Sequence, residues 1–188
     1  RLMSNSREDY ADYIRRLGLD PRTADGLTVM ARGGGSRATD KIEIFGLPFR
    51  DPNSGAYVNH FLARGVRHLP HAEERIAKLQ KGERLFLVLD FQNDYDPRAI
   101  LLRTADHCPV GYLPQYLLED FQTHLNNCPT MEVFVEQANL PPAPTHHRLL
   151  CKLQTCWPGE DFAPFRSEAF QPVVAGAAVI NLAACPVK

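Results

Sequence analysis

Long apolar runs are missing from this chain. The longest, residues 173–185, is broken by Gly176 and Asn181 and falls short of the ~20 residues a spanning helix needs. An excess of one charge is missing too. Lys and Arg number 21 against 22 Asp and Glu, a formal net charge of −1, which excludes a globally basic, histone-like binder while leaving room for a local basic patch. There is no Walker-type phosphate loop, no GxGxxG and no kinase signature set. At 188 residues the chain is also too short for a helicase motor. None of the five cysteines stands in CxxC spacing. With an odd count and no leader-like opening, they are expected to be reduced thiols of a cytoplasmic protein. Cys151 and Cys156 lie near His146 and His147, but 147–156 reads as one alternating strand that scatters these side chains over both faces. No metal site and no cofactor are expected.

Abundant punctuation takes the place of long runs. Fifteen prolines and twelve glycines favour short strands and loops over a helical bundle, and the length suits one domain with a core of its own. A capping-box-like start at Ser6 predicts a helix over 6–17. Residues 27–31 read as a short strand. The stretch 32–37 (RGGGSR) is a basic glycine loop, either a connector or an anion cradle between Arg32 and Arg37. Strands are predicted at 41–45, 57–68, 84–91, 98–103, 109–113, 131–138 and 147–157, and helices at 71–79 and 115–125. On 84–91 both faces are apolar, so cover on both sides is expected. The fold class is mainly β with short helices (α+β), a small closed barrel of the OB-like or SH3-like kind. The expected division is an extension packing on the barrel over 1–56, a core over 57–126, further strands completing the sheet over 127–160 and an irregular tail over 161–188.

One block carries identity. It reads FLARGVRH at 61–68, LQKG at 79–82, an apolar strand to Asp90, NDYDPRAI at 93–100 and VGYLPQYL at 110–117. In order and spacing together it resembles the HIRAN domain, a module found beside some chromatin-remodelling-type helicases and as small bacterial proteins. The resemblance implies a modified OB-like barrel that binds the 3′ end of single-stranded DNA. Terminal bases stack on aromatics, and the turn holds the free 3′ hydroxyl. By position, Tyr95 and Asp96 fall on the turn residues that contact the end, and Arg67 on a residue that reaches phosphate. His68 stands where the family has a stacking tyrosine, Tyr112 where it has a histidine and Gln115 where it has a lysine. These departures are expected to weaken stacking and phosphate contacts.

The residues themselves point the same way in part. A single-strand site needs aromatic platforms beside cations, and Arg64, Arg67, His68, Tyr95, Tyr112 and Tyr116 supply both types. Asn93 and Asp96 are also good turn formers. Over 61–103 there are eight basic and six acidic residues, a surplus of two, so strong salt-dependent phosphate binding is not expected. The expected DNA-binding set is Arg64, Arg67, His68, Asn93, Tyr95, Asp96, Tyr112 and Gln115, with Arg32 and Arg37 as flanking phosphate contacts. Asp94 and Asp96 sit in a turn without a second carboxylate cluster, so no catalysis is expected. The competing expectation is a protein-interaction subunit, for example an accessory partner of a kinase-type toxin. Near-zero charge and long flanks favour it. No membrane partner is expected.

Overall fold

In the computed structural model the described residues are 7–33, 36–37 and 42–170. Two short strands, β1 (Ser36–Arg37) and β2 (Ile42–Glu43), pair with each other. Seven more make one antiparallel sheet: β3 (Phe49–Arg50), β4 (Tyr57–Leu62), β5 (Arg84–Leu89), β6 (Ile100–Arg103), β7 (Pro109–Tyr112), β8 (Met131–Ala138) and β9 (Leu149–Thr155). Their order is β3-β4-β9-β8-β5-β6-β7. The four helices are α1 (Tyr10–Arg16), α2 (Gly26–Gly33), α3 (Ala72–Ile76) and α4 (Gln115–Asn127).

Alternation on the strands sets the two faces. Leu85, Ile100, Leu102, Val133, Val135, Leu149, Cys151 and Leu153 point into the main core with Tyr57, Phe61 and Ile76. Leu62 and Leu150 point the other way. They are buried all the same, because Ile14 and Leu17 of the α1 turn and Val29 of α2 cover them. The N-terminal helices thus seal the outer face of β4 and β9, which two apolar sets on one strand require.

The expected small OB-like barrel is realised as a sheet that is not continuously closed. The edge strand β7 meets the chain just past β4 at one residue pair: the Arg64 N–H donates to the Tyr112 carbonyl at 2.9 Å, and the Tyr112 N–H returns the bond at 2.8 Å. Two glycines permit that approach. A Cβ on Gly65, whose φ is +67°, would sit 2.8 Å from Tyr112 Cδ2, and one on Gly111 would sit 2.8 Å from Ala63 Cβ.

Several local expectations are corrected. Residues 27–31 are helix, because the Asp25 carboxylate accepts the N–H groups of Leu27 and Thr28 at 2.9 and 3.0 Å and the Thr28 hydroxyl at 2.6 Å. That caps α2 from its first turn. The helix expected over 6–17 starts at Tyr10, and Asp9 at its N-cap makes no side-chain cap bond. Asp9 is instead engaged by Arg7 at 3.0 and 3.1 Å, and Ser6 lies outside the described residues. The strand expected to reach 68 ends at Leu62, since left-handed Gly65 turns the chain into a single 3-10 turn, Val66–His68. Cys128 and Cys156 are joined in a disulfide, with Cα atoms 5.5 Å apart. Of the described cysteines, Cys108 and Cys151 are free.

Candidate functional site

The chain between β5 and β6 is a tight, hydrogen-bonded turn. The Asp90 N–H donates to the Ala99 carbonyl at 2.9 Å, and the Ala99 N–H to the Asp96 carbonyl at 2.9 Å. Inside it, the Asn93 side-chain oxygen accepts the N–H groups of Tyr95 at 3.0 Å and Asp96 at 3.2 Å. This is the local side-chain mimicry of a turn for which asparagine is suited. The Asn93 amide donates to Asp90 Oδ2 at 3.2 Å. The same oxygen accepts the Tyr112 hydroxyl at 3.0 Å. Asp90 therefore couples the turn to β7, which is itself locked to Arg64 by the closing bridge. Partial burial and this bond to a carboxylate raise the Tyr112 phenol above its usual range.

Asp96 forms the other side of the turn. Its carboxylate accepts the Arg98 N–H at 2.8 Å and the Arg98 guanidinium at 3.3 Å, and the Gln115 amide reaches it at 3.5 Å from the start of α4. The bonds from Arg98, the backbone one first, hold the Asp96 carboxyl below the usual range. Arg98 also donates to Glu119 at 3.3 Å. With Asp96 so held, Tyr95 projects into solvent, 91% exposed, and Phe91 is 74% exposed.

Asn93, Tyr95, Asp96, Tyr112 and Gln115 thus come together, and Arg64 joins them through its backbone. Arg67 and His68 lie exposed on the 3-10 turn just past Gly65, where Arg67 Nε donates to His68 Nε2 at 2.9 Å. Arg32 does not join the group. It lies on α2, where burial lowers its pKa and its electrostatic partners are Glu136 and Tyr116. The side chain of Arg37 lies outside the described residues, so the expected anion cradle is not built from the two. Sequence reading missed Asp90, Arg98 and Phe91. A signal existed for Arg98, two residues after Asp96 across a proline. Asp90 looked like an ordinary strand end.

Among the described residues no group of three or more His, Cys, Asp or Glu side chains is placed to hold a metal ion. No helix among them is long and apolar enough to cross a membrane.

The class that this fold and site define is a mainly β module, a seven-stranded antiparallel sheet with few short helices and a polar turn between β5 and β6. The HIRAN domain model matches residues 59–152, and the chain belongs to the HIRAN domain family. Among solved structures it is similar to a protein from Lactobacillus plantarum, at 19% identity and TM-score 0.41 over 54% of this chain and 97% of that one. It is also similar to the HIRAN domain of human HLTF, at 19% identity and TM-score 0.37 over 53% of this chain and 72% of that one. No curated protein matches.

Proposed function

We propose that this protein binds DNA without catalysis and recognises single strands, in particular a free 3′ end, at the 90–98 turn. The supporting observation is the pairing of an exposed Tyr95 with a held Asp96 carboxylate. The tyrosine offers a face on which a terminal base stacks, and the carboxylate offers an acceptor for a terminal hydroxyl. Asn93, Tyr112 and Gln115 shape the turn, while Arg64, Arg67 and His68 follow the backbone. With Asp90, Asp94, Asp96 and Glu119 against Arg98 close to the turn in the chain or in contact with it, a phosphorylated end meets like charge.

The test is binding of labelled oligonucleotides with free and phosphorylated 3′ ends at low salt. The expected result is preference for the free hydroxyl, removed by Asp96→Asn. Equal binding of both ends overturns end recognition. Absence of binding to any oligonucleotide overturns the DNA reading and favours the protein-partner one, for which the exposed Leu89 and Phe91 speak.

A further inference from the structure

The sheet register places a second feature on the face that carries the turn. Directly opposed residues of antiparallel strands project to the same side. Phe86 is opposite Arg103, Val88 opposite Leu101, and Leu101 opposite Tyr112. Their neighbours Leu85, Ile100 and Leu102 point into the core. Phe86, Val88, Leu101, Arg103 and Tyr112 therefore share the outer face of β5, β6 and β7. Asp90 continues it, since it accepts the Tyr112 hydroxyl there. The α1–α2 cover lies over β4 and β9 instead.

At the far end of this face two cations bracket an aromatic ring. The Arg84 and Arg103 guanidinium carbons lie 5.4 and 5.0 Å from the Phe86 ring centroid. Arg84 is half exposed, 3.4 Å from Glu132. One N–H of Arg103 holds the Thr104 carbonyl at 3.2 Å, and a guanidinium carries five. The rung of Phe86 and Arg103 is three residues from that of Leu89 and Ile100, about 10 Å at ~3.3 Å per residue. Half-buried Val88 and Leu101 form an apolar floor between.

We propose that Arg84, Phe86 and Arg103 form a second nucleotide subsite, which takes an inner base and its phosphate from a single strand whose end lies at the 93–96 turn. This rests on the single-strand reading above. A guanidinium held over a ring offers both a surface for a base and a charge for phosphate, and it does so for any base. The face leads directly from one site to the other, so one strand spans both.

The experiment compares a dinucleotide and a decanucleotide, both with free 3′ hydroxyls, by NMR shift titration and by fluorescence anisotropy over a salt series. Phe86→Ala and Arg103→Gln are expected to leave the dinucleotide affinity unchanged and to weaken the decanucleotide about tenfold. Arg103→Gln should also flatten the salt slope by about 0.7, one phosphate contact on a single strand. Thermal unfolding shows whether each variant is folded, and Arg103→Gln tests the same subsite with the Phe86 ring still in place. Wild-type affinity for the decanucleotide in both variants, or equal loss for both oligonucleotides, overturns the subsite and leaves the turn reading standing. Failure of the wild-type protein to bind either oligonucleotide overturns both.

Discussion

At the scale of single residues, the site is built on close approach and shared acceptors. Gly65 is left-handed and has the Tyr112 ring against its Cα. A methyl there meets aromatic carbon and an unfavourable φ together, and the ring cannot move without breaking its bond to Asp90. Gly65→Ala is expected to cost more than 1 kcal/mol, about the price of a left-handed conformation alone, as a lower urea midpoint shows. Tyr112→Phe removes only the hydroxyl that donates to Asp90. It should cost about 1 kcal/mol and leave Asn93 as the remaining side-chain donor to Asp90. A loss of preference for the free 3′ end in this variant, with the fold intact, would show that turn position rather than contact sets end recognition.

At the scale of elements, α4 connects the site to the far side of the domain. Its first residue, Gln115, reaches Asp96, and its C-cap, Cys128, is bonded to Cys156 just past β9. The 28-residue separation makes the crosslink worth about 3.5 kcal/mol in the chain-entropy view. Reduction should lower the unfolding midpoint accordingly. In denaturant without reductant, Cys108 and Cys151 should react with a thiol reagent while Cys128 and Cys156 do not. Reaction of Cys128 and Cys156 as well would show the pair to be open. The reduced thiols expected from the odd cysteine count are corrected here for these two positions. Their spacing carries no motif, and only packing α4 across the end of β9 brings them together.

At the scale of the whole molecule, buried imidazoles set the acid limit. Burial pushes His60, His124 and His147 down to about 4 from 6.5. Each folded-state value lies below the unfolded one. The stability they support is therefore full above about pH 6.5 and is lost as pH falls toward 4, when the unfolded chain takes up protons that the folded one refuses. For His124, 2% exposed and ringed by Tyr57 and Phe162, the effect is roughly 3 kcal/mol. Asp120 works in the opposite sense near the lower end of the window, because burial raises its carboxyl. Urea midpoints should hold from pH 7.5 to about 6.5 and then fall toward pH 4.5, and His124→Gln should flatten that fall.

Alternation and punctuation by themselves determined most strands, because β8 and the inner face of β9 have a period of two that only a half-buried strand satisfies. The same holds for the turn: Asn93, Tyr95 and Asp96 are local in sequence, and their hydrogen bonds are local too. Residues 27–31 were misread, since a short apolar run has no period of its own and the cap at Asp25 decided for helix. Tertiary structure alone decided what the turn is attached to. Asp90 meets Tyr112 across 22 residues and Gln115 meets Asp96 across 19, and both contacts exist only because the β5–β6–β7 register places those strands side by side. It also decided where Arg32 goes. A charge beside glycines in the chain becomes, once α2 packs on β4, a desolvated group whose electrostatic partners are Glu136 and Tyr116.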